Sequence, residues 1–245
     1  MSIVRFRPAP LLLAAALALT TGGAFAQEDI SKVNGGVEAE AGQTYRDLST
    51  VNGGVRIGDN ARARDVETVN GGIRGGDGIQ VEDVETVNGG ITLGARVQAK
   101  SLTTVNGGIR TGTGAVIGGN VESVSGGIFI DRGGRIDGNV TTVNGAIGVV
   151  GTQISGDVKT VNGDITIGSG SHVRGKVVVD KPSSGWFPVT INRRNPRVII
   201  GPDAVVDGPL EFKREVTLYV HASAKTGAIS GATAIPYDSA RAPQE

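Results

Sequence analysis

Three aspartates, Asp47, Asp65 and Asp83, fall at 18-residue intervals, and Glu67 and Glu85 stand beside the upper two. Carboxylates stacked at a constant interval repel one another unless something screens them, and a hard cation such as Ca²⁺ would do so through oxygen ligands. Arg46, Arg62 and Arg64 lie close by, so a solvated, partly repulsive charged face is the expected outcome. A second column, Asn34, Asn52, Asn70, Asn88, Asn106, Asn144 and Asn162, would offer a ligand a regular row of amide donors and acceptors. Its expected role is structural. Each amide can bond the copy above and below, and Asn tolerates left-handed backbone at a corner. Thr50, Thr68, Thr86, Thr104, Thr142 and Thr160 precede those asparagines by two residues. If the valine between them points inward, Thr and Asn share one flat outer face, as in ice-binding solenoids. Charged Glu67, Glu85, Glu122 and Lys159 interrupt such a surface, and strand preference alone accounts for the threonines.

Residues for catalysis are sparse. The chain has two histidines, His172 and His221, no cysteine, no nucleophile elbow and no metal-spaced cluster, so neither a cofactor nor a metal site is expected. Trp186 and Phe187 lie near Arg193, Arg194 and Arg197, a set that could hold an acidic sugar or a lipid headgroup. A capping loop anchored by its aromatics is the plainer reading.

What must position these residues is a repeat. Val-Asn-Gly-Gly begins at Val33, Val51, Val69, Val87 and Val105 in steps of 18, and variants begin at Val124, Val143 and Val161 after steps of 19, 19 and 18. That period fits a parallel β-helix coil and is too short for a leucine-rich repeat or a propeller blade. Within one coil, Val69, Gly71 and Ile73 are expected to face inward, followed by Ile79 with Val81 and then Val84, giving three short sides. The odd step from Val66 to Val69 places a corner or bulge there. The predicted fold is all-β, a single-stranded, right-handed parallel β-helix (β-solenoid) over residues 27–235, with a loop excursion at 180–197 and a flexible tail at 236–245. After the excursion, Val198 and Val216 begin two degenerate coils.

Forty glycines and 4 % aromatic residues cannot fill a wide core, which agrees with a stack of thin coils. Residues 1–26 carry Arg5 and Arg7, an apolar run from Leu11 to Leu19 and Ala24-Phe25-Ala26, and read as a cleaved signal peptide. Its removal leaves 22 basic against 24 acidic side chains, which disfavours nucleic-acid binding, and no later segment suits a membrane span.

The Val-Asn-Gly-Gly-Ile coils resemble those of bacterial adhesin-like β-solenoids, and the stretch Ile200-Gly201-Pro202-Asp203-Ala204-Val205-Val206-Asp207-Gly208 is similar to coils of the bactofilin-like, polymer-forming proteins. The resemblance spans about Val33 to Ile229 and implies a scaffold with no catalytic residue. A signal peptide departs from the cytosolic location typical of bactofilins. The expected protein is therefore an exported, non-enzymatic scaffold or adhesin at the periplasm or cell surface. Its expected partners are an envelope component, a polysaccharide or another copy joined head to tail. The competing expectation is a carbohydrate-active β-helix enzyme, with the 180–197 loop as one wall of its cleft.

Overall fold

The structure, a computed structural model, describes residues 28–182 and 195–243. Residues 1–26, Trp186, Arg193 and Arg194 lie outside the described residues, as does most of the excursion. The described chain is a parallel β-solenoid with no helix. One sheet holds 11 short strands, one per coil, from Val37–Ala39 to Ala234–Tyr237, each pairing in parallel with the next. The remaining two sides of each coil belong to an 18-stranded sheet. In the early coils those two sides run together as one long strand, as in Arg62–Asn70 and Gln80–Asn88. Later they separate, as in Val116–Ile117 and Val121–Ser125.

The burial pattern explains the coil. Ile73, Ile79, Val81 and Val84 are all buried, and Ile73, Val81 and Val84 pair in register with their counterparts in neighbouring coils. Volume is shared between two inward positions four residues apart. Gly75 faces Ile79 and Ile130 faces Gly134, although Leu93 and Val97 at the same positions are both large and buried. A methyl group at Gly75 would fall 2.4 Å from the Cδ1 of Ile79, so the isoleucine already fills the missing side chain's space. Such pairing keeps a narrow core filled at each level.

Two details of the register differ from expectation. The motif valine points outward: Val33 and Val87 are exposed and Val51, Val69 and Val105 half-exposed, while Thr50, Thr68, Thr86 and Thr104 are buried. Alternation therefore runs unbroken from Val66 through Thr68, and no bulge is needed between Val66 and Val69. The odd step lies at the preceding corner, between Ala63 and Val66, where Arg64 and Asp65 both face out. That corner also explains the drift in period. From Ile117 to Val121 it gains a residue as Gly118-Gly119-Asn120, giving 19-residue coils. The coil with Ile147–Val149 keeps the longer corner but shortens the turn that follows, restoring 18.

The excursion leaves the stack without skipping a level, because Ile165 pairs with Val198 and Val177 with Leu210 across it. Val198 pairs with Leu218 rather than aligning with Val216, so the last coils are offset by two residues from the expected register. The final strand, Ala234–Tyr237, runs past the expected start of the tail, and Tyr237 is buried with its hydroxyl donating to the carbonyl of Ile200. Aromatic residues occupy the ends: Tyr45 in the first complete coil, Phe212 and Tyr237 near the last.

Candidate functional site

The Val-Asn-Gly-Gly corner is built from three interlocking ladders. The Nδ2 of Asn52 donates to the Oδ1 of Asn34 at 3.1 Å, and Asn70, Asn88 and Asn106 each donate to the asparagine one coil earlier at 2.9–3.0 Å. After Ser125 the ladder resumes with Asn162 donating to Asn144. Arg214 then donates to the Oδ1 of Asn162 at 2.7 Å, closing the amide row with a cation. None of the seven asparagines has positive φ, so the expected left-handed backbone is not the reason for Asn here. Amide-to-amide bonding is.

The threonines form the second ladder. Thr68 Oγ1 donates to the carbonyl of Gly53 at 2.8 Å, and Thr86, Thr104 and Thr142 repeat the bond to Gly71, Gly89 and Gly126. Their hydroxyls face inward and satisfy corner carbonyls, which removes the basis for a threonine-lined ice-binding face. The third ladder is glycine on glycine. A Cβ at Gly71 would lie 2.0 Å from the carbonyl oxygen of Gly53, the same oxygen that accepts from Thr68. At the second motif position the approach is looser, 3.2 Å for Gly72, and that position holds Ala146 and Asp164 in later coils.

The aspartate column is an ion-paired stripe. Asp47, Asp65 and Asp83 stand in register. Arg46 contacts both Asp29 and Asp47, Arg64 bridges Asp47 at 2.8 Å and Asp65 at 2.9 Å, and Lys100 meets Asp83 at 2.8 Å. Burial works against the Asp83 carboxylate, but bonds from Lys100 and Ser101 outweigh it and hold its pKa below the ordinary value. Glu67 and Glu85 are pushed up, first by partial burial and then by neighbouring carboxylates. Among the described residues no group of three or more His, Asp or Glu side chains is arranged to hold a metal ion. In later coils Asn120, Asn139 and Asp157 occupy this corner column, each accepting the backbone N–H of the residue one coil on.

The other singled-out residues that the structure describes each have local partners. His172 Nε2 lies 2.7 Å from Asp207, and His221 Nδ1 lies 2.9 Å from the Ser223 hydroxyl. Arg197 stacks over Tyr219, donates to the carbonyl of Pro243, and gives its backbone N–H to Asp164. At the foot of the excursion Asp180 is held between Lys159 and Lys213. Burial would raise its pKa, but those two partners bring it below the ordinary value.

One column escaped the sequence reading. The middle residue of the short strands faces outward through the first coils, and from the second to the seventh coil these are Arg56, Arg74, Thr92, Arg110, Phe129 and Gly148, in direct register; the column then runs on through Thr166 and Ile199 to Tyr219, which is buried. Its signature in the sequence is the residue between the two inward positions that follow Asn-Gly-Gly, as in Val55-Arg56-Ile57 and Ile109-Arg110-Thr111. No family model, no curated protein and no solved structure matches this chain.

Proposed function

We propose that the chain is an exported, non-enzymatic scaffold of the bacterial envelope, related to the adhesin-like and bactofilin-like β-solenoids, whose regular outer columns engage an envelope polysaccharide or another copy. The observation that carries this reading is the constancy of the corner. Coil after coil, the polar side chains with the best-defined geometry are spent on bonds to the next coil, and what they produce is a repeating surface. Export rests on the sequence of residues 1–26. The stack also has edges at both ends. Among the described residues, strand Glu28–Asn34 pairs only with Tyr45–Asn52, and Ile229–Ser230 only with Leu210–Phe212. Those edges are the feature through which copies would join.

The test is incubation of the purified chain with isolated envelope polysaccharide, following both co-sedimentation and sugar release. A scaffold co-sediments and releases nothing. Appearance of new reducing ends or unsaturated sugars, in proportion to the amount of chain added, would replace this reading with the carbohydrate-active enzyme.

A further inference from the structure

On the outer face of the short-strand sheet, Arg56 and Arg74 are exposed and directly paired in register, and Arg110 stands two coils beyond Arg74. Neighbouring strands lie about 4.8 Å apart, so the first two guanidinium groups share one patch of solvent and repel. Among the described residues none of the three has a carboxylate within ion-pair distance, although Glu38 is next in register to Arg56. The aspartates on the other sheet are ion-paired with Arg46, Arg64 and Lys100; these arginines have no such pairing among the described residues. An external anion is what would relieve their repulsion.

The column continues into an aromatic platform. Arg110 lies over the Phe129 ring at 5.0 Å from its centroid, and the ring leans across Gly148, where an added Cβ would come within 3.3 Å of it. The Thr92 hydroxyl side chain is exposed between Arg74 and Arg110. Cations at one end, a hydroxyl between them and a half-exposed ring at the other suit a linear polymer carrying both negative groups and apolar sugar faces. One coil rises by about the length of one sugar of an extended chain. With only three cations and a near-neutral chain, the column is poorly matched to a polyphosphate backbone, which calls for a denser basic stripe.

We infer that Arg56, Arg74, Thr92, Arg110 and Phe129 form a track for an anionic polysaccharide lying parallel to the solenoid axis. The arginines would meet its carboxylate or sulfate groups and Phe129 would stack on a sugar face. This rests on the scaffold reading and names the ligand class of its surface.

Sodium alginate is the probe, titrated calorimetrically against the purified chain, with neutral dextran, a single-stranded oligonucleotide and anionic phospholipid vesicles as comparisons. The expected result is binding to alginate alone. Combined Arg56→Gln, Arg74→Gln and Arg110→Gln should weaken it by about tenfold or more at low salt, with a smaller loss as salt screens the exposed charges. Phe129→Ala should weaken it severalfold at every salt concentration. A control with Arg62→Gln, Arg132→Gln and Arg174→Gln removes the same charge from exposed positions off the track. Equal loss in that control overturns the proposal, as does tighter binding of the oligonucleotide or vesicles, or no binding of alginate. Failure here with intact co-sedimentation on envelope polysaccharide would leave the scaffold standing and remove only the track. Sugar release would instead remove the scaffold.

Discussion

At the scale of single residues, the core has one hydroxyl that works against it. Thr111 is buried in the short-strand column between Leu93 and Ile130, and its Oγ1 has no hydrogen-bond partner among the described residues. The corner threonines differ because each donates to a glycine carbonyl. Replacing Thr111 by Val removes the unmet hydroxyl at nearly the same shape, so Thr111→Val should stabilise the chain by about 1 kcal/mol, seen as a raised Tm in thermal denaturation. Glu67 and Glu85 make a second prediction. Their pKa values are raised in the folded chain, so folding binds their protons more tightly than unfolding does, and the stability they withhold at neutral pH returns as pH falls through the raised values. Asp83 and Asp180 are lowered, and their contribution is lost only as pH falls below the ordinary aspartate range. Thermal stability should therefore rise from neutral to mildly acidic pH before it declines. Combined Glu67→Gln and Glu85→Gln should flatten the rise and stabilise at pH 7 by less than about 1 kcal/mol per site, because both groups are partly solvated.

At the scale of the element, the corner separates two glycines that look alike in sequence. Gly71→Ala drives a methyl group into the Gly53 carbonyl and disrupts the Thr68 bond to it, whereas Gly72→Ala meets the Gly90 carbonyl at a distance a small shift relieves. The first should cost about 2 kcal/mol or more and the second less than about 1 kcal/mol, measured by chemical denaturation. The coil was legible in the sequence because its period is unbroken and its inward Ile and Val positions recur. The facing of Thr68 and Val69 was not, since hydrophobicity favours the valine as the inward residue. A hydroxyl is buried there only because a carbonyl on the coil below awaits it. Period drift was visible, but its source at the Gly118-Gly119-Asn120 corner required the strand pairing. Deleting Val87 to Thr104 removes one full period and lets Val105 stack on Val69. The shortened chain should fold to the same β-rich circular dichroism spectrum, with a modestly lower Tm from one lost interface.

At the scale of the whole molecule, the ladders tie each coil to the next, Tyr45, Phe212 and Tyr237 are buried toward the ends of the described stack, and its sides differ in chemistry. One side carries an ion-paired aspartate stripe, one corner the amide row closed by Arg214, and the short-strand sheet the arginines that have no ion pair among the described residues. The sequence showed the first two as columns of one residue type. It concealed the third, because Thr92 interrupts the arginines and Phe129 ends their run, so Arg56, Arg74, Arg110 and Phe129 become one surface only when the coils stack. Function on this account belongs to the repeating surface and to no single reactive side chain. The most direct measurement is retention on isolated envelope polysaccharide by a variant carrying His172→Ala, His221→Ala and Asp164→Ala, with circular dichroism establishing that the fold is kept. The account predicts retention within about twofold of the parent chain, because surface contacts distributed over many coils are individually weak. Loss of retention with the fold intact would show that one of these side chains carries the function, and would contradict it.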